Sequence, residues 1–330
     1  MIALVVCVVS ASIASVLAQG GKSGQANLSP DEQKMIAAIM AATDPAAKLK
    51  AVEALIKKHP KTSARSRVAR EAADQIADLK DAGQKVTFAQ QYTGIFTEPA
   101  EQQMIMPVLI DALVAANRVD EAFSTGAEFL TRSPDSVFVL VGLMSLGTDQ
   151  AKQKNPKFIS QSLQYGTHAI ELIEADKKPE YVDDAGWKKY KSTALPSVYQ
   201  SIGLLNLVNG DRAGSKVRLA KAAELAPADP FNYLLLAGIL NDEYQDAAKR
   251  YQAMPNGPAK DEELKKILSS LDQVIDAYAH TIALAEGNER LAPVRQQYLQ
   301  DLEAYYKYRH NNSTAGMQQL IDKYKMPAKP

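Results

Sequence analysis

Pro196-Ser-Val-Tyr199-Gln200-Ser-Ile202-Gly203-Leu204-Leu-Asn206-Leu207-Val208-Asn209-Gly210-Asp211-Arg-Ala213-Gly-Ser215-Lys-Val-Arg-Leu219-Ala-Lys-Ala222-Ala-Glu-Leu-Ala226-Pro227 carries two apolar stripes at helical spacing, one on each side of a turn. Ser197 to Val208 reads as one helix, Asn209-Gly210-Asp211 as the turn, and Ala213 to Ala226 as a second helix that Pro227 ends. A turn this short makes the two helices an antiparallel hairpin.

The same grammar recurs outward from this stretch. Val108 to Ala116, the turn Asn117-Arg118-Val119-Asp120, and Glu121 to Thr131 before Pro134 repeat it. Near the start, Ser29-Pro30-Asp31-Glu32 combines an N-cap serine, a proline at the first helical position and a glutamate at capping-box spacing. Asp44-Pro45 opens the next helix, whose stripe of Leu49, Val52, Leu55 and Ile56 stops at Lys57-Lys58-His59-Pro60. From Ser29 onward no run of alternating β-branched residues bounded by turns occurs, so the fold class is all-α. One helical pair repeated along the chain is the pattern of an α-α solenoid, in which each hairpin buries its apolar face on its neighbours.

Between Pro196 and Pro227 the chain resembles the tetratricopeptide repeat family, whose unit is about 34 residues long. With Pro196 as the first position, the family's aromatic, aliphatic and glycine positions fall on Tyr199, Ile202 and Gly203. The small or apolar positions of the second helix fall on Ser215, Leu219 and Ala222, and the closing proline on Pro227. Asn206 stands where the family carries tyrosine. The next unit opens at Asp229-Pro230 with Tyr233 and Leu236-Ala237 in register. Met254-Pro255-Asn256-Gly257-Pro258 then interrupts it before a long helix from about Asp261 to Ala285. A further insertion, containing Lys177-Lys178-Pro179-Glu180 and Trp187, follows the helices Phe138 to Leu146 and Phe158 to Glu174. The C-terminal stretch is similar to the endings of exported bacterial repeat proteins. Tyr298, Leu302 and Tyr305 on one helix, with Met317, Leu320, Ile321 and Tyr324 on another, make a pair suited to cap the array. The expected organisation is helical hairpins over 29–134, repeats with insertions over 135–260, and the long helix with the capping pair over 261–330.

Residues 1–18 read as a signal peptide, with an apolar run from Ile2 to Val9, small residues following, and cleavage after Ala18. Residues 19–28 read as a flexible, glycine-rich linker. No lysine or arginine precedes the apolar run. The stretch is slightly short of the ~20 residues that a membrane-spanning helix needs, and an uncleaved N-terminal anchor stays open as an alternative. Cys7, the one cysteine, lies inside this segment, so a mature chain has no thiol for a disulfide, a metal or nucleophilic catalysis. The expected location is the periplasm or the exterior, with no membrane span in the mature chain. The 38 basic and 38 acidic residues balance, which removes any net field for nucleic acid or an anionic membrane. Hydrophobic residues at 46% and charged residues at 23% are those of a folded chain.

Few residues invite a catalytic reading. His59, His168, His280 and His310 are scattered without a paired-ligand spacing, and each is better read as a packed or helix-end histidine, so no metal is expected. Gly20-Gly21-Lys22-Ser23 and Gly210 to Lys216 both lack the spacing and the preceding strand of a phosphate loop. Glu180, Asp183 and Asp184 lie near Trp187 and Tyr190, a set able to hold a sugar, although a solvated insertion accounts for them as well. Lys307-Tyr308-Arg309-His310 is better read as the charged face of a capping helix than as a base-stacking run.

The resemblance implies a concave groove lined by the first helix of each hairpin. Carried onto this chain, its lining would be Gln200, Leu204 and Leu207 in one repeat and Phe231, Leu234 and Asn241 in the next. The expected function is a non-catalytic scaffold or adaptor of the bacterial cell envelope that binds a protein or peptide partner, without cofactor and without nucleic acid. A glycan-binding or glycan-cleaving protein on the same helical frame is the alternative.

Overall fold

The computed structural model describes residues 28–325, so the expected signal peptide, nearly all of the linker and the last residues, 326–330, lie outside the described part. Every regular element among the described residues is a helix. They divide into two compact units at residues 198 and 199.

In the first unit Ser29 caps α1 (Pro30–Ala41): its hydroxyl accepts from the Glu32 amide at 3.2 Å, and its own amide donates to the Glu32 carboxylate at 2.9 Å. Asp44 caps α2 (Pro45–Lys58) by accepting from the Ala47 amide at 2.7 Å. Then follow α3 (Arg65–Ala77), α4 (Ala82–Ile95), α5 (Pro99–Ala115), α6 (Val119–Arg132), α7 (Val137–Lys152) and α8 (Ile159–Glu174). Each packs on its sequence neighbour, and α1 on α3, α3 on α5 and α5 on α7. The core runs through all of them; Ile39, Leu55, Ile76, Tyr92, Leu113, Phe129 and Leu143 are fully buried.

The helix α9 (Asp184–Val208) contains the division between the units. Expected to begin beside Pro196, it starts twelve residues earlier at Asp184 and carries Pro196 inside. The helix expected over Val108 to Ala116 likewise starts at Pro99 and carries Pro107 inside. An internal proline costs a helix about 3 kcal/mol. Upstream burial outweighs that cost, through Met104, Ile105 and Met106 in α5 and through Trp187 and Tyr190 in α9.

In the second unit α9 is followed by α10 (Arg212–Leu225), α11 (Pro230–Gln252), α12 (Pro258–Leu284), a 3-10 turn at Glu289–Leu291, α13 (Ala292–Arg309) and α14 (Met317–Asp322). The interruption at 254–258 divides two long helices that pack along each other. Tyr278, Tyr298 and Leu302 build the core beneath α13, and Ile321 closes it.

Close approaches at glycines set the helix spacing. A Cβ on Gly203 would stand 2.7 Å from Leu219 Cγ, and the Ser215 hydroxyl donates to the Gly203 carbonyl at 2.7 Å. In the first unit a Cβ on Gly147 of α7 would stand 1.8 Å from Ser162 Oγ of α8. Gly142, on α7, has nothing within 4 Å of its virtual Cβ. Gly147→Ala and Gly203→Ala should each therefore lose about 1–3 kcal/mol in urea melts. Gly142→Ala should gain about 0.5–1 kcal/mol from helix propensity alone.

Candidate functional site

The residues expected at repeat-defining positions are core. Tyr199, Ile202, Gly203, Ser215, Leu219 and Ala222 are buried, and Pro227 is exposed just beyond α10. Arg218 lies over the Tyr199 ring at 5.7 Å.

The residues expected to line a groove separate into two places. Gln200 donates to Asp229 at 2.7 Å and to Asn232 at 2.9 Å, fastening α9 to the start of α11. Leu204 is buried with Leu219, Leu235 and Ile239, and Leu207 packs half-buried against them. Leu234 belongs instead to the core under α13, with Phe231 packed against it. The Tyr298 hydroxyl donates to the Leu234 carbonyl at 3.3 Å and the Tyr305 hydroxyl to Asn241 Oδ1 at 2.9 Å. The chain's own α13 thus covers the face of α11 that carries Leu234 and Asn241.

The aromatic residues of the acidic insertion are built inward, while Glu180 and Asp184 are exposed. Trp187 is 3% exposed, donates its indole N–H to Asp176 at 2.7 Å and stacks on Tyr190 at 5.7 Å; Tyr190 meets Phe138 edge-on at 4.6 Å. The Tyr181 carbonyl accepts from Arg70 at 2.8 Å. Asp183 accepts from the Gly186 amide at 2.7 Å and Asp184 pairs with Lys178 at 2.7 Å. An aromatic pair packed in the core offers no face to a sugar ring.

Open concave space appears instead one position around α11 from the expected face. Between α11 and α12 lies a concavity of about 550 Å³ with Leu236 and Leu240 as its floor. Tyr233 stands at one end, and Asp272, Asp276 and His280, spaced one turn apart, line the α12 wall. His280 lies between two rings, 3.8 Å from Tyr233 and 4.1 Å from Tyr324. Arg309 holds Asp272 through two bonds of 2.7 and 2.8 Å, and the Tyr324 hydroxyl donates to Asp276. Sequence reasoning missed this groove because Tyr233 was read only as a repeat position and α12 only as a displaced helix. The legible signal was the polar stripe 272, 276, 280 beside the apolar stripe of the same helix.

The remaining histidines make local contacts. His168 meets Asp135 at 2.9 Å and Glu171 at 3.2 Å; His59 meets Asp31 at 2.7 Å; His310 stacks on Tyr306 at 4.1 Å. No group of three or more metal-ligating side chains occurs among the described residues, and no helix among them is long and apolar enough to cross a membrane. No protein-family model matches the chain, and no curated protein matches it.

Two histidines titrate in opposite directions. Burial holds His280 below its ordinary value, against the pull of Asp276. At His168 burial also works downward, but the Asp135 and Glu171 carboxylates outweigh it and raise the pKa. His280 therefore adds stability that is present above the ordinary histidine pKa of about 6.5 and lost on acidification. His168 adds stability that is present below that value and lost as pH rises through its raised pKa. In an NMR titration the His280 ring should show a midpoint below that of free histidine and His168 one above it. The reverse order would refute both assignments.

Proposed function

We propose that the chain is a tetratricopeptide-like solenoid acting as a non-catalytic protein-binding scaffold of the cell envelope. On this reading α1 to α12 form six successive hairpins, α13 and α14 cap them, and the chain is cleaved after Ala18 on export. One observation carries the architecture. Gly203 against Ser215 and Leu219 falls in the register of the family's small positions, and Gly147 against Ser162 is a second close glycine approach in another adjacent pair. Packing of α1 on α3, α3 on α5 and α5 on α7 is the spacing that stacked hairpins produce. A scaffold of this kind binds through surfaces between helices, and its energy concentrates in a few anchors. Trp187 and Tyr190 are packed inside, which weighs against the glycan alternative.

The test is affinity capture of the tagged full-length chain from its native cells after mild cross-linking, with intact-mass analysis of the recovered chain. A chain beginning at Gln19, recovered outside the cytoplasm with a stoichiometric protein partner, is the expected result. The variant Glu180→Gln/Asp183→Asn/Asp184→Asn should capture the same partner. Full-length cytosolic chain, or a chain recovered alone, defeats the proposal.

A further inference from the structure

We propose that the groove between α11 and α12 binds a peptide segment that presents a lysine or arginine beside apolar side chains; this rests on the scaffold reading and names the class of partner. The floor is aliphatic, through half-buried Leu236 and Leu240, and one end is an aromatic face, Tyr233 against His280. Above the floor stand two carboxylates one turn apart, Asp272 and Asp276. Such a surface suits a long cationic side chain, whose methylene stem lies on apolar carbon while its charged head meets a carboxylate or the face of a ring.

Charge complementarity selects this occupant. Among the groups facing the groove, α11 contributes no charge, and α12 contributes Asp272, Asp276 and His280. From α13 comes Arg309, which satisfies Asp272. Past α14, neutral Tyr324 donates to Asp276, and Lys323 is 3.8 Å from it with its side chain 62% exposed. Burial holds His280 below its ordinary pKa, so the ring adds no charge near neutral pH. Asp276 is therefore the more loosely held of the two carboxylates, with exposed Lys323 at 3.8 Å as its ion-pair partner. A purely apolar or anionic partner would take two carboxylates of the lining from water and bring no positive charge of its own, whereas a cationic head adds one. The Arg309 contact at Asp272 is the same recognition made within the chain.

The experiment pans a phage-displayed random peptide library on the full chain. It then measures the recovered peptides, fluorescein-labelled, by anisotropy against wild type, Asp276→Asn and Gln273→Glu. Asparagine keeps an acceptor for Tyr324, and Gln273→Glu adds a carboxylate to the same wall without emptying a contact of the core. Recovered peptides should be enriched in lysine or arginine next to leucine, methionine or phenylalanine. Their binding should weaken about tenfold in Asp276→Asn, tighten several-fold in Gln273→Glu and fall with added salt. The proposal is overturned if panning recovers nothing, if the peptides show no cationic preference, or if affinity is the same in both variants. It is also overturned if sedimentation shows that the wild-type chain self-associates and Asp276→Asn does not, which would make a second copy the occupant. A native partner captured equally by wild type and Asp276→Asn removes the groove and leaves the scaffold. Peptide binding that follows both variants, with no captured partner, keeps the groove and removes the scaffold.

Discussion

The distance between paired helices is the constraint from which the other features follow. At Gly203 the absent side chain lets Leu219 approach to where a Cβ would sit, and Ser215 satisfies its hydroxyl on the Gly203 carbonyl. At Gly147 the facing residue is Ser162. Close approach lets the neighbouring large side chains bury fully, as Leu219, Ile202 and Phe123 do. A larger side chain at either glycine separates the helices and opens the contacts around it, so the stability of each pair rests on very few atoms.

With that spacing set, burial overrides local helix signals. Pro107 and Pro196 both fall inside helices because Met104, Ile105 and Met106 before one, and Trp187 and Tyr190 before the other, are worth more buried than the bond each proline removes. The same balance turns the insertion inward. Its polar residues act as caps and partners, Asp176 for the Trp187 indole and Asp183 for Gly186, while its aromatic residues join the core around Phe138. A segment rich in charge thus does structural work in its own unit.

The second unit shows how a covered face and an open one arise on one helix. On α11, Leu234 and Asn241 take Tyr298 and Tyr305 from α13 as partners. Tyr233, Leu236 and Leu240, on the adjacent face, line a concavity with α12. Which face stays open is decided by where the last long helix returns. The ring of Tyr324 against His280 sets the end of that concavity and brings the C-terminal turn beside it.

Much of the fold was legible in residue order. Helical periodicity from Ser29 onward, the caps at Ser29 and Asp44, the turn at Asn209 to Asp211 and the buried set Tyr199, Ile202, Gly203, Ser215, Leu219 and Ala222 are local patterns, and local hydrogen bonding and periodicity act within a few residues. The groove was not legible, because it depends on how α11 and α12 pack along each other and on Tyr324 returning against His280, and no local rule gives those angles. The insertion misled for the same reason: Trp187 beside three carboxylates reads as a surface feature until Asp176 and Phe138 are placed around it. Periodicity determined that the chain is helical and which stripe of each helix is apolar. Only tertiary packing decided which stripe another helix covers, since many apolar stripes are interchangeable in sequence and are distinguished by shape and by which polar atoms the neighbouring helix can satisfy.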